Sequence, residues 1–305
     1  LLPVVIDTDP GIDDALALLF AAHSPEIRIE AVTVVGGNVG LDACVRNALL
    51  TLEQSGLDPL PPVAAGCARP LEREPLDAAH VHGDDGLGGV AHQFPRPAAS
   101  PSAAGAVETL LDAIERNSDE LIFITLGPLT NLATALRTAP DVVGRLKRVV
   151  AMGGALRVPG NVTKSAEYNL YADPEAAQIV VEAGLPLTLV GLDVTHRTVL
   201  HRDDFNRRID PSGPARARFA ADVCEHLFDF GEVRRGLAAA YLHDPLAVGA
   251  AVDPSFVRSE RVRVRVETGE PRGALIETPD GSEVDVAVEV DADRFVSTFL
   301  TRALG

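Results

Sequence analysis

Two apolar rhythms alternate along the first two thirds of the chain. Residues 4–7, 29–35, 121–126, 148–152 and 187–192 are short apolar runs without clean polar alternation, which predicts strands covered on both faces of a parallel sheet. Between them, residues 15–22, 41–55, 103–117, 128–139 and 174–183 carry apolar positions at helical spacing. Alternation of strand and helix implies right-handed crossovers and an α/β fold with an open, doubly wound, mostly parallel sheet flanked by helices. Toward the C-terminus the period changes. Residues 261–266 and 284–289 alternate strictly, and with residues 273–278 they predict a small antiparallel addition to the main sheet, followed by a last helix at 292–303.

Two stretches depart from both rhythms. Residues 66–101, rich in Pro, Gly and Arg, read as a long excursion that contains His80-Val81-His82-Gly83. Residues 196–243 read as mostly helical and polar. No internal repeat and no linker divides the chain, so residues 1–305 are expected to form one domain.

Composition narrows the classes. Hydrophobic residues make up 46% and charged residues 23%, enough apolar surface to exclude global disorder. A net charge of −17 repels polyanions and excludes nucleic acid as a partner. No apolar stretch reaches membrane-spanning length. Cys44, Cys67 and Cys224 are widely spaced and odd in number, so free thiols in a reducing compartment are expected. Without a basic leader or cleavage pattern before the first strand, the cytoplasm is the expected location.

The chemistry concentrates at strand ends, where open α/β sheets bind ligands. Asp7 and Asp9 fall on one side of the first strand, Pro10-Gly11 turns the chain, and Asp13 and Asp14 enter the first turn of a helix. Asp in a first helical turn is explained by the helix dipole alone, and Asp-Pro occurs six times in this chain. Neither explains two Asp on a buried strand, a position that disfavours them. Four crowded carboxylates call for a cation, and an all-oxygen donor set selects Ca²⁺ or Mg²⁺ over zinc. Gly36-Gly37-Asn38, Thr125, Met152-Gly153-Gly154 and Asp193 lie at the other strand ends.

The run Asp7-Thr8-Asp9-Pro10-Gly11-Ile12-Asp13-Asp14-Ala15 resembles the N-terminal signature of the nucleoside hydrolases. Further stretches match in the same order: Gly36-Gly37-Asn38, His82-Gly83, Thr125-Leu126-Gly127-Pro128-Leu129-Thr130-Asn131, Met152-Gly153-Gly154, Gly160-Asn161-Val162, Glu167-Tyr168-Asn169 and His243-Asp244-Pro245. The resemblance implies a Rossmann-like α/β fold, a held Ca²⁺, hydrolysis of the ribose–base bond of nucleosides in purine or pyrimidine salvage, and a homodimer or homotetramer.

Carried over by position, the resemblance makes Asp9, Asp14, Asp244 and the Thr125 main-chain carbonyl the metal ligands. Asp9 would also be the general base. Asp13, Asn38, Asn161, Glu167 and Asn169 would hold ribose hydroxyls, with Met152 as an apolar contact and Asp7 behind its neighbours. His243 would protonate the departing base, and His82 would join the base pocket. Local readings compete: Asp244 before Pro245 makes an ordinary N-cap, Asn38 and Asn161 suit turns, and Met152 suits a core. His80 is expected to face solvent. His23, His92, His196, His201 and His226 are assigned to surface or packing. Phe228, Phe230 and Tyr241 are the candidates for an aromatic at the base.

Two other functions fit parts of the pattern. Asp-x-Asp after a strand also opens Mg²⁺-dependent phosphohydrolases, which use a later Lys; here Lys occurs only at 147 and 164. A non-catalytic, calcium-dependent ribose-binding protein would keep the carboxylates and lack a leaving-group acid, which His243 argues against.

Overall fold

The computed structural model describes residues 1–117, 119–210 and 212–305. Five strands follow the first rhythm, β1 (Leu2–Thr8), β2 (Ile27–Val34), β4 (Ile122–Thr125), β5 (Arg148–Met152) and β6 (Leu187–Val190), and β3 (Val63–Ala65) falls between them outside it. A two-stranded antiparallel pair, β7 (Val199–His201) and β8 (Ala239–Tyr241), stands apart. The C-terminal strands are β9 (Val257–Val266), β10 (Leu275–Glu277) and β11 (Ser282–Val290). Nine strands form one sheet in the order β10-β9-β11-β6-β5-β4-β1-β2-β3. β1 to β6 pair in parallel, β11 joins β6 in parallel, and β9 and β10 run antiparallel at that edge.

The chain winds outward from β1 through β2 and β3, then crosses back to β4, β5 and β6 on the other side. The switch point therefore lies between β1 and β4. A crevice opens at the carboxyl ends of two such strands, because their following loops depart in opposite directions. Register puts Asp7 level with Thr33 of β2 and Thr125 of β4, so all three reach that crevice together.

Alternation along β1 feeds two apolar layers. Val4 and Ile6 pack on the face that carries helices Ile12–Ala22, Leu41–Ser55 and His243–Val252, while Val5 joins Phe123 and Val149 on the other. Helix Ile12–Ala22 is enclosed, with Leu16, Leu18, Leu19 and Phe20 fully buried. Each such side chain contributes on the order of 2 kcal/mol, so the helix that carries Asp13 and Asp14 is firmly fixed. Helix His243–Val252, which carries Asp244, packs directly against it.

At the edge, Val262, Val264 and Val266 point inward and the intervening arginines point out. Arg258 and Arg263 pair with Glu289 and Glu283 across the strands, a solvated, charge-paired face of the kind the alternation predicts.

The stretch 196–243 differs from expectation. It contains helices Arg202–Arg208 and Ala215–Arg235, but β7 and β8 bracket them. Each of these strands has three residues, too few for a period to show, and pairing between distant segments creates them. β3 escapes for the same reason. The expected strand 187–192 ends at Val190, and residues 191–192 instead enter a helical turn, Leu192–Thr195.

Candidate active site

The turn after β1 and the starts of two helices bring the acids together. Asp13 and Asp14 sit in the first turn of helix Ile12–Ala22, whose N-cap is Gly11. Asp244 sits in the first turn of helix His243–Val252, whose N-cap is Leu242, so Asp244 does not serve as the cap. Carboxylate oxygens of Asp13, Asp14 and Asp244 all lie within 4.8 Å of one another. Asp14 is held by four donors: Thr8 Oγ1 at 2.5 Å, Gly11 N–H at 2.9 Å, Asn38 Nδ2 at 3.0 Å and Asp9 N–H at 3.3 Å. Asp9, 1% exposed, accepts from Asn38 N–H at 2.7 Å through Oδ2. Asp7 Oδ1 accepts from Thr33 Oγ1 at 2.6 Å and Asn131 Nδ2 at 2.8 Å.

The like charges outweigh what the protein offers them. At an effective dielectric of about 20, each carboxylate pair at this spacing repels by roughly 3–4 kcal/mol, whereas a helix N-terminus returns at most about 2 kcal/mol. Among the described residues, the one basic group in ion-pair range is His82, whose Nδ1 is 3.8 Å from Asp13 Oδ1. Burial, then the charges of Asp14 and Asp13, raise Asp9 well above the ordinary carboxylate range. Burial and then Asp14 push Asp13 up to about 8, and Asp244 is raised by burial and then by Asp13, Asp14 and Asp9. Burial also lifts Asp7 to about 7, and its Oδ2 is buried without a partner. Excess buried negative charge and a donor set made only of oxygens fit a hard divalent cation. The Thr125 main chain lies at the end of β4, level with Asp7.

A cavity of about 430 Å³ opens above the acids. Asp13, Asp244, Asn38, Met152, Asn161, Glu167 and Asn169 line its acidic end. Asn38 Nδ2 donates to Asp9 O at 3.1 Å as well as to Asp14, and Asn169 Nδ2 donates to Leu126 O at 2.7 Å and Met152 O at 3.1 Å. Each amide thus spends its donor on the scaffold and keeps Oδ1 for a ligand. Glu167 Oε1 accepts from Asn169 N–H at 2.8 Å, and Oε2 accepts from Gly154 N–H at 3.0 Å and Leu170 N–H at 3.2 Å, which fixes the carboxylate at the wall. Asn161 is exposed at the rim.

Imidazoles and guanidiniums line the cavity as well. Ile12 N–H donates to His82 Nδ1 at 3.1 Å, so the ring proton sits on Nε2. Burial lowers His82 to about 4 and His243 to about 3, which favours the neutral ring in each. His243 Nδ1 lies 2.8 Å from Thr195 Oγ1. Its ring sits beside Tyr241 and His196, with centroids 5.5 and 5.7 Å away. The Arg235 guanidinium lies 4.4 Å above the Tyr241 ring, and Arg234 also reaches the cavity.

Several assignments change here. His196, taken as surface or packing, lines the cavity, and Thr195 is a partner the sequence reading missed. The signal was present: both follow Asp193 beyond the end of β6, at a strand end like the other site residues. Phe228 is fully buried and is no candidate for ligand contact, whereas Phe230 and Tyr241 both line the cavity. His80 is exposed but stands at the mouth. His23, His92, His201 and His226 lie outside the lining.

A family profile described as inosine-uridine preferring nucleoside hydrolase matches residues 4–297. The pyrimidine-specific ribonucleoside hydrolase RihA of Salmonella paratyphi B is 36% identical, over 96% of this chain and 94% of its own. The inosine-uridine preferring nucleoside hydrolase of Crithidia fasciculata is 37% identical over the same shares. Among solved structures, a purine-preferring ribonucleoside hydrolase from Gardnerella vaginalis superposes with a TM-score of 0.93 at 33% identity, covering 99% of this chain and 98% of that one.

Proposed function

The chain belongs to the inosine-uridine preferring nucleoside hydrolase family and is an N-glycosyl hydrolase of ribonucleosides, and from that premise we propose how its residues divide the work. Asp9, Asp14, Asp244 and the Thr125 carbonyl hold Ca²⁺. Calcium there supplies electrostatic activation of an oxygen nucleophile and an anchor for vicinal hydroxyls. Asp9 is the general base that takes the proton of the attacking water, and its raised affinity for protons suits that task. Asp13, Asn38, Asn161, Glu167 and Asn169 orient the ribose hydroxyls, and Met152 packs against the ring. The acids also stabilise the positive charge that develops on the sugar.

His243 delivers a proton to the departing base, and His82 faces the base beside it. As the acid, His243 carries a proton on each ring nitrogen, Nδ1–H donating to Thr195 Oγ1 and the Nε2 proton passing to the departing base, which leaves the ring neutral. The reading covers purine and pyrimidine ribonucleosides alike, because relatives of similar identity are named pyrimidine-specific, inosine-uridine preferring and purine-preferring. We expect a cytoplasmic homodimer or homotetramer. Among the described residues, no helix is long and apolar enough to cross a membrane, and all three cysteines are free.

The observation that carries the reading is the gathering of buried carboxylates at the switch point with, among the described residues, no Lys or Arg in ion-pair range of them. The test is a nucleoside panel assayed for free ribose with and without a chelator. Ribose release that stops on chelation and returns with calcium is expected. Undiminished turnover in chelator refutes the metal assignment.

A further inference from the structure

Tyr168 begins helix Tyr168–Ala172, between Glu167 and Asn169, and its side chain lines the cavity. The reaction as described above gives it no task. Its hydroxyl donates to the Leu76 carbonyl oxygen at 2.9 Å, a bond that spans 92 residues into the long excursion. Its backbone N–H donates to Asn161 Oδ1 at 3.0 Å. One residue thus ties together two loops that form the cavity wall.

The excursion is fastened at other points as well. Leu71 N–H donates to Asp173 Oδ2 at 2.9 Å, Arg73 pairs with Glu175 and donates to Thr268 O at 2.7 Å, and Ala78 N–H donates to Asn38 O at 2.9 Å. Between these anchors, among the described residues, the Tyr168 hydroxyl makes the one hydrogen bond that reaches residues 74–77 from outside the excursion. Burial pushes the phenol above its ordinary range, so it remains a donor throughout the working pH range.

We propose that Tyr168 is a positioning residue for nucleoside binding: its hydroxyl, latched to residues 74–77 through the Leu76 carbonyl, holds the Tyr168 side chain in place as part of the cavity wall around the substrate. The proposal rests on the hydrolase reading for the identity of the substrate, and on the hydrogen bond alone for the latch. It acts on binding rather than on the chemical step, because the reacting groups are held separately. His82 is fixed by Ile12 N–H, Asn38 by Asp9 and Asp14, and Ala78 by Asn38. Loss of the latch frees the wall while leaving these groups in place.

Tyr168→Phe in the full chain keeps the ring and removes only the bond. One net hydrogen bond corresponds to about a three- to tenfold effect, expected as a rise in KM for the best nucleoside with kcat unchanged within about twofold. Backbone ¹⁵N relaxation at Leu76 and Asp77 is expected to show a lower order parameter while helix Ile12–Ala22 stays as rigid as before. Tyr168→Ala, which also removes the ring, should show the same loss of order and a larger rise in KM. An unchanged KM in Tyr168→Phe, a fall in kcat instead, or unaltered order at Leu76 and Asp77 overturns the proposal. If the wild-type protein releases ribose from no nucleoside, the reading of the active site falls, and the relaxation measurement still decides the latch.

Discussion

Replacing Gly37 with Ala probes the position of Asp9 without touching Asp9 itself. A Cβ on Gly37 would stand 2.0 Å from Asp9 Oδ2 and 2.8 Å from its Cγ, and one on Gly127 would stand 2.4 Å from Oδ1. The carboxylate is therefore slotted between two glycines, with room for a hydrogen atom and nothing larger. Gly37 is not among the glycines with positive φ, so Ala meets no backbone strain there and the perturbation is steric. Ordinary contact requires Asp9 or the turn that carries Asn38 to retreat by about 1 Å, and a misplacement of that size costs roughly 10²-fold in rate. The accompanying loss of the 2.7 Å bond from Asn38 N–H matters less, at about 1 kcal/mol.

The expected result is a fall of about 10²-fold in kcat/KM, close to 2.7 kcal/mol of barrier, with destabilisation of about 1–3 kcal/mol from overpacking. Ribose release by a reducing-sugar assay gives the first quantity and a circular-dichroism melt the second. Gly40→Ala is the control, since a Cβ there meets nothing within 4 Å. A folded Gly37→Ala protein with wild-type kcat/KM refutes the reasoning, because it shows that Asp9 can be displaced without consequence and is not the base.

Other outcomes follow from the two ends of the cavity. In the metal-free protein Asp7 stands at about 7 and Asp13 at about 8 against 3.8 unfolded, so the folded state keeps protons that the unfolded chain releases, and stability should fall as pH rises from about 4 to 8; a melting temperature of the chelated protein that climbs through this window contradicts that sign. His243→Ala should depress hydrolysis of natural nucleosides far more than that of p-nitrophenyl riboside, whose leaving group departs without a proton. Thr195→Val should reproduce that bias more mildly, by about tenfold, and Thr195→Ser should restore activity; equal losses on both substrates discard the acid role.

The acidic half of the site is legible in sequence because each piece is local. Strand alternation places Asp7 and Asp9, a proline-glycine turn follows, and helical phase places Asp13 and Asp14. Asp244 is local in a different sense: its helix start is visible, but its approach to Asp13 and Asp14 depends on two helices packing side by side. The base end is harder to read. His196 and Thr195 gain their meaning from contact with His243, 47 or more residues onward, and β8, which carries Tyr241, exists only through pairing with β7. Helix Ala215–Arg235 has apolar residues on several faces, so its phase alone does not separate buried Phe228 from cavity-lining Phe230.

The polarity of the cavity bears on the competing functions. The lining combines the carboxylates of Asp13, Asp244 and Glu167 with the guanidiniums of Arg234 and Arg235, the latter over the Tyr241 ring. Breaking an N-glycosidic bond leaves positive charge on the sugar and negative charge on the base, and the lining holds groups of the sign each requires. A phosphate ester bound at the acids would instead bring its anionic group to the carboxylates. The two lysines that a phosphohydrolase could use are elsewhere, with Lys147 paired to Glu120 on the surface and Lys164 exposed outside the cavity lining. A sugar-binding protein would need the acidic end alone. It has no use for a buried imidazole held against the Thr195 hydroxyl.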